Sequence, residues 1–427
     1  MRRGRGDGRG RGDGRGRGDG RGRGVVPRQS NVRVQIPYQL SLFKVHISNE
    51  CDPAAKGGKK YTDIDFKPSK AELAAAKDKI GQFTDASGKS SQWLRYRKST
   101  DLYEGLRRHF MSELGAKYVT NAYLKYHELA STFLKSHLPT GRKTILFANA
   151  ELPGAAISAL NQYFVTNGVD YDWHASSLAP SGDVDALGDT YGYYANNRSH
   201  WLMSDANNGD MTVSANIRDY ASRIGPKSAV GGVDVYSHDA GIDVSGTDES
   251  FNDQEVANAR VHFGCAIAGL MTMRKGAVFI AKQYTFFETF TWNAIMIYAS
   301  LFDEFYVCKP VTSRPSNSEV YLVGVGFRGI GETLAESLFS RLDNWSMEPL
   351  LGNSARISPD VDMLKKFCRV IYKQQIDVIN AIVPLYKSNP ASVIEQALSD
   401  LKKDRMYAWL ASYPAQKIPQ DKLIPSK

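Results

Sequence analysis

From Thr144 onward the apolar positions come in short runs separated by polar turns and amphipathic stretches. TILFAN, YDWHASSL, GGVDVYSHD, GAVFIAKQY, EFYVCKP and SEVYLVGVGF read as strands, because β-branched and aromatic residues cluster between Gly, Asn, Asp and Pro. AISALNQYF and NDQEVANARVHFGCAIAGLMTMRKG, between some of these runs, read as helices. Strand, glycine turn, helix is the opening unit of a doubly wound sheet, so the expected fold is α/β and Rossmann-like. The last two strands are joined only by VTSRPSN, too few residues for a parallel crossover, and should pair as an antiparallel hairpin. A mostly parallel sheet with one antiparallel strand follows.

The flanking patterns differ. Residues 31–109 mix apolar pieces such as VRVQIPYQLSLF with polar turns and one predicted helix, SKAELAAAKDKIG, and form an N-terminal extension. The spacing of Tyr118, Ala122, Leu129 and Phe133 predicts one or two helices between Asp101 and His137, and the α/β domain is placed at 110–330. Residues 331–427 read as a C-terminal helical extension, as in VDMLKKFCRVIYKQQIDVINAIVPLY.

Composition changes the picture mainly at the start of the chain. Of 427 residues, 54 are Lys or Arg and 45 Asp or Glu, a formal charge of +9. Residues 1–24 hold nine Arg, three Asp and eleven Gly in an RGRGDG repeat, so most of the excess charge lies in a segment (1–30) with no core to bury. Such an arm suits salt-sensitive phosphate contact and stacking on unpaired bases; a solubilising tail is the other reading. The Arg-Gly-Asp triplets follow from the repeat unit and do not point to adhesion. Four dispersed cysteines, Cys51, Cys265, Cys308 and Cys368, lack the spacing of metal sites or disulfide frameworks, which favours a reducing compartment. No apolar run approaches the ~20 residues a membrane span needs, and no metal or membrane is expected.

Two glycine turns compete for a nucleotide role. GVGFRGIG, Gly324 to Gly331, satisfies G-x-G-x-x-G but comes at the end of the α/β series, with no following strand, and is read as a loop leaving the sheet. A nicotinamide oxidoreductase would use it. ANAELPGA, Ala148 to Ala155, follows the first strand of the series, where a doubly wound sheet places its ligand crevice. Asp239 and Lys282 each end an apolar strand, and opposite charges at the carboxyl edge of neighbouring strands suggest a reaction centre. Lys125 in AYLKYHEL and Glu319 in SRPSNSEVY lie at or near other element ends.

The segments AYLKYHEL, NAELPGA, NGDMT, SHDAGIDVS, AKQYTFFE and KPVTSRPSNSEVYLVGVGF, in this order over about residues 110–330, resemble the FtsJ/RrmJ-type ribose 2′-O-methyltransferases, in particular the messenger RNA cap enzymes of large DNA viruses and eukaryotes, including kinetoplastids. The resemblance implies a Lys-Asp-Lys-Glu tetrad on Lys125, Asp239, Lys282 and Glu319, with Lys282 facing the 2′-hydroxyl. Its chemistry needs alignment of oxygen, methyl and sulfur and removal of one proton, for which burial and Lys125 would lower the Lys282 pKa against the pull of Asp239 and Glu319.

The same resemblance implies S-adenosylmethionine as cofactor, held by Asn149, Glu151, Pro153, Gly154, Ala155, Asp189 and Asp210; the family's second glycine is Ala155 here. Asp189 also reads as a turn or helix-cap aspartate. Arg314 is expected to hold phosphate near the target ribose, with a structural ion pair as its alternative. Tyr191, Tyr193, Tyr194 and Trp201 could stack on a methylated guanine, but core packing is favoured, as it is for Phe286 and Phe287. The implied partners are capped RNA and capping machinery, in the nucleus or, for a viral enzyme, in cytoplasmic factories. A ribosomal or transfer RNA target and a catalytically weak RNA-binding subunit are the rival functions.

Overall fold

The strands form at the predicted runs: β2 (Thr144–Asn149), β3 (Tyr171–Ala175), β4 (Val233–His238), β5 (Met273–Gln283), β6 (Phe302–Lys309) and β7 (Val320–Phe327), preceded by β1 (Phe43–Ile47). In the computed structural model, which describes residues 32–39, 41–47, 67–83, 91–179, 188–242, 253–350 and 360–427, they make one seven-stranded sheet in the order β1-β6-β7-β5-β4-β2-β3. The Arg-Gly repeat, Cys51 and the end of SHDAGIDVS lie outside the described residues.

β3, β2, β4 and β5 pair in parallel, β7 runs antiparallel to β5, and β6 and β7 form the expected antiparallel hairpin. The sheet has one strand more than expected from the α/β region. β1, from the N-terminal extension, pairs antiparallel with β6, Val45 facing Val307, so two strands rather than one oppose the main direction.

The helices are α1 (Lys67–Asp78), α2 (Ser91–Ser99), α3 (Glu104–Ser112), α4 (Asn121–Phe133), α5 (Ala155–Thr166), α6 (Tyr193–Asn196), α7 (Ser214–Ile224), α8 (Gln254–Thr272), α9 (Thr289–Ala299), α10 (Glu332–Asp343), α11 (Asp360–Ser388), α12 (Ala391–Ala397) and α13 (Ser399–Ser412). Successive strand residues alternate between two cores, as a pleated strand requires. Phe147, Tyr236 and Phe279 pack with α7 to α10, whereas Leu146, Val235 and Val278 pack with α3, α4 and α5. Central strands buried on both faces explain why their sequences read as near-continuous apolar runs.

A third cluster joins the two extensions. Ala76 and Phe83 from the N-terminal side pack with Val378, Ile379, Ile382, Tyr386, Ile394 and Leu398 from the C-terminal side. The extensions are thus packed on one another and on the sheet. Among the described residues no helix is long and apolar enough to cross a membrane.

The glycine-rich GVGFRGIG turn leaves the sheet as expected. β7 runs against β5, so this turn lies at the edge opposite the carboxyl ends of β2, β4 and β5. Gly326, at φ +70°, lies where an added Cβ would come within 2.3 Å of the Asp303 carboxylate, and Gly331 leads into α10. The glycines there serve a tight exit from the hairpin.

Candidate active site

The site grows out of register. Asn149 at the end of β2 faces His238 at the end of β4, and His238 faces Ala281 of β5. The next residues, Asp239 and Lys282, therefore emerge side by side at the carboxyl edge. Strand order reverses between β2 and β4, the switch point where a doubly wound sheet takes its ligand. On the other side Lys282 pairs with Tyr321 of β7, whose hydroxyl donates to Asp239 Oδ1 at 3.1 Å.

Lys282 Nζ lies 3.7 Å from Asp239 Oδ1 and donates to the Asp239 carbonyl oxygen at 3.1 Å. Lys125 comes from α4, which is capped by Thr120 and buried from Tyr123 to Ala130. Its Nζ makes a close ion pair with Glu319 Oε1. Ser313 Oγ also donates to that oxygen at 3.4 Å. The four residues that the resemblance implied are thus gathered as two adjoining ion pairs, drawn from α4, the β4 end, β5 and the β6–β7 connection.

Electrostatics here are those of partly desolvated pairs. Burial would raise the Glu319 carboxyl, but the ammonium groups of Lys125, Lys282 and Lys309 hold it well below the usual carboxylate range. Lys282 departs from the sequence expectation. Burial favours its neutral form, yet Asp239, Tyr284 and Glu319 outweigh burial and raise its pKa, so the unliganded site keeps the ammonium charged.

The connection that presents Glu319 is gripped by residues that sequence reasoning did not single out. Lys309, 4% exposed, donates to Asn317 O at 2.9 Å, Asn317 Oδ1 at 2.7 Å and Glu319 O at 2.7 Å. Burial, helped by Lys125, pushes this ammonium down to about 7. Glu128, one helical turn beyond Lys125, accepts from Val311 N at 2.9 Å, from Thr312 N and Oγ1, and from Trp409 Nε1 of α13. Its burial outweighs these donors and raises the carboxyl to about 7. Gln375 of α11 donates to Ser316 O at 2.9 Å and accepts from Ser318 Oγ at 3.1 Å. Lys309 belongs to the KP segment and Glu128 to AYLKYHEL, so a charge on an otherwise apolar buried face was the available signal. Gln375 offered none.

In the crevice, Gly154 precedes α5 at φ +116°, and a Cβ there would lie 2.1 Å from the Tyr193 ring, so glycine is required. Ala155 opens α5 in ordinary helical backbone, which alanine adopts without strain. Pro153 sits in the turn between Glu151 and Gly154, where Gly154 N donates to Glu151 O. The Glu151 carboxylate accepts from Ile157 N at 2.9 Å, which commits it to the start of α5, and burial raises it to about 8.

Asp189 takes Tyr194 N at 3.2 Å and Ala195 N at 2.8 Å on its two oxygens, the helix-cap arrangement. Asp210 accepts Thr212 N and Oγ1 on Oδ1, both at 2.8 Å, leaving Oδ2 without a partner among the described residues. Asn149 bridges Ala150 N and the Tyr236 hydroxyl. A half-buried carboxylate oxygen with no partner among the described residues, a few residues before α7, suits a ligand with polar N–H or O–H groups.

Of the aromatics, Tyr193, Trp201 and Phe286 are core residues, whereas Tyr191 is half-buried and stacks on Tyr118 with centroids 4.2 Å apart. Phe287, also half-buried, packs on Tyr372. Arg314 makes no ion pair among the described residues.

The model of the FtsJ-like methyltransferase family matches residues 118–327, the stretch from α4 to the end of β7. "Probable methyltransferase EP424R" of African swine fever virus, Badajoz strain, is 32% identical over 400 residues, 88% of each chain. The mouse "Cap-specific mRNA (nucleoside-2'-O-)-methyltransferase 2" is 25% identical over 317 residues, 70% of this chain and 40% of the mouse one. A solved Plasmodium falciparum structure described as a ribosomal RNA methyltransferase covers 50% of this chain at 16% identity and TM-score 0.35, a likeness too loose to bear on substrate. With a relative of this similarity along nearly the whole chain and the family match spanning the sheet that builds the site, the protein belongs to the FtsJ-like methyltransferase family.

Proposed function

We propose that the protein transfers a methyl group from S-adenosylmethionine to a ribose 2′-hydroxyl of RNA, at a nucleotide next to a messenger or spliced-leader cap. The observation that carries this reading is the convergence of Lys125, Asp239, Lys282 and Glu319 at the carboxyl edge beside the switch-point crevice. When bound, the cofactor supplies a methyl on a sulfonium primed for displacement. Asn149, the Pro153-Gly154-Ala155 turn and Asp210 would hold it, whereas Glu151 and Asp189 act on it through the helix starts they cap.

The chain's own contribution is alignment and proton removal. Lys282 Nζ faces the crevice as the group for the 2′-oxygen. Charged, it orients that oxygen by donating a hydrogen bond; neutral, it takes the proton. Because Asp239 holds the ammonium charged in the free site, Lys282 must release a proton to solvent before it can act as base. Lys125 keeps Glu319 ionised, and Glu319 in turn steadies the Lys282 end of the site.

Arg314, next to Ser313 in the connection that presents Glu319, is the residue this reading assigns to a phosphate beside the target ribose. The cap assignment is supported by the mouse relative, and a nuclear setting, or a cytoplasmic factory for a viral chain, fits the two kinds of relative. The helical backbone at Ala155 supports an active enzyme over a degenerate binding subunit. Methyl transfer to capped and uncapped transcripts of one sequence tests the substrate. Transfer confined to capped RNA is expected; equal transfer to uncapped ribosomal or transfer RNA would overturn the cap assignment.

A further inference from the structure

A separate cleft, built by both extensions and by the β6–β7 connection, adjoins the loop that leads to Glu319. Its walls are Tyr38 before β1, Arg97 and Asp101 from α2 and the turn after it, Arg314 of the connection and Tyr386 of α11. Charge in it is unbalanced. Asp101 is committed to Arg107, with Oδ2 3.2 Å from the guanidinium, and also accepts from Tyr103 N. Arg97 and Arg314 are half-buried, and neither has a side-chain hydrogen bond or an ion pair among the described residues.

Arg97, Arg107 and Arg314 share the one carboxylate of Asp101, because Glu319, the other acid that acts on Arg314, is already paired with Lys125, so positive charge exceeds negative in a partly desolvated place. Burial pushes both Arg97 and Arg314 down, helped by Arg314 and Arg107 at Arg97, which falls to about 10, and by Arg107 at Arg314. Cations held this way are costly unless an anion completes them, and a guanidinium fork matches phosphate oxygens. The polar groups nearby offer no substitute, since the Tyr38 hydroxyl donates to Thr100 O and the Tyr386 hydroxyl bonds Thr100 Oγ1.

The cleft is tied to the reaction centre through the chain itself. Arg314 follows Ser313, whose hydroxyl touches Glu319, and precedes Ser316, which Gln375 fixes. An anion seated on Arg314 therefore sits on the loop whose preceding residue, Ser313, touches Glu319 of the tetrad. We infer that Arg97 and Arg314 together form a subsite for one internucleotide phosphate of the RNA strand adjacent to the methylated ribose, so that the N-terminal extension belongs to the substrate path. This rests on the RNA reading above. It also gives α2 and the α11 contact a role beyond packing.

The test is equilibrium binding of a short RNA oligonucleotide, capped and uncapped, to the full chain across a salt series, without methyl donor. Arg97→Ala and Arg314→Ala should each weaken binding by about ten-fold, the scale of one charge-assisted hydrogen bond. Each should reduce the slope of log affinity against log salt by about 0.7, the value for one phosphate on a single strand. The double variant should fall short of the product of the singles, because both act on one phosphate. Arg97→Lys should retain the slope, and Arg95→Ala, an exposed change on the same helix, should leave binding unchanged.

Weaker binding with an unchanged salt slope, or a lowered melting temperature in Arg97→Lys as well, would make the pair structural and overturn the inference. Loss confined to capped RNA would assign the arginines to the cap's phosphate bridge and overturn it too. Variants that show the slope changes beside a wild-type chain that transfers no methyl would sink the enzymatic reading while leaving the subsite standing.

Discussion

At the scale of single residues, the site depends on charges whose ionisation is set by neighbours rather than by residue type. Glu128 is the clearest case for a measurement. Its carboxyl titrates near 4.5 in the unfolded chain and at about 7 when folded, so the folded state binds the extra proton between those values. Stability should therefore fall as pH rises from about 4.5 to about 7, by up to about 3 kcal/mol from this one group. Denaturant unfolding at several pH values should show wild type losing about that much stability relative to Glu128→Gln over this range, because only this group's share differs between the two chains. Glu151, raised to about 8, leaves a residual slope in the variant. An identical pH dependence in Glu128→Gln would show that the carboxyl is not held in its neutral form.

Asp239 and Lys282 were legible as charges ending apolar strands, whereas Lys125 and Glu319 joined them only through the family resemblance carried by AYLKYHEL and the KP-x-x-SRP-x-x-SE-x-Y segment. Lys282's ionisation was not legible, since it depends on Asp239 and Glu319 arriving from other elements.

At the scale of elements, the β2–α5 turn separates what only glycine can do from what alanine does equally well. Gly154→Ala puts a methyl into the Tyr193 ring at a left-handed φ and should cost about 1–3 kcal/mol. Calorimetry should show S-adenosylmethionine binding weakened with it. Ala155→Gly should change stability by less than about 1 kcal/mol, in the destabilising direction, because glycine is the poorer helix former. Equal effects of the two changes would contradict the turn geometry described here.

The β6–β7 hairpin was readable from the shortness of VTSRPSN, but its supports were not. Glu128, Lys309 and Gln375 reach it from α4, β6 and α11, and contacts between positions up to 184 residues apart leave no periodic trace. The extra antiparallel β1 was missed for a similar reason: its partner β6 lies more than 250 residues away.

At the scale of the whole molecule, the extensions act as a brace. The α1–α11–α12 cluster joins chain segments from both sides of the methyltransferase domain, and α11 carries Gln375 to the loop bearing Glu319. Ile382→Ala, fully inside that cluster, should cost about 2–4 kcal/mol. Gln375→Ala should act differently, lowering kcat several-fold while shifting the melting temperature little, since it loosens the loop and leaves the core intact. A Gln375→Ala enzyme with unchanged kcat would remove α11 from the account of the site. The division into three separate segments that the hydropathy pattern suggests is therefore only part of the organisation: local pattern locates the α/β domain but says nothing of which outer helices close over it.

The central claim is that this sheet edge methylates a ribose 2′-oxygen through Lys282. Labelled S-adenosylmethionine and a short capped RNA, followed by nuclease digestion that locates the methyl group, test it most directly with wild type and Lys282→Ala. The account predicts a label on a cap-proximal 2′-oxygen, reduced at least about 100-fold in the variant, the scale of losing a positioned acid–base group. A label on a base nitrogen, or undiminished transfer by Lys282→Ala, would contradict it.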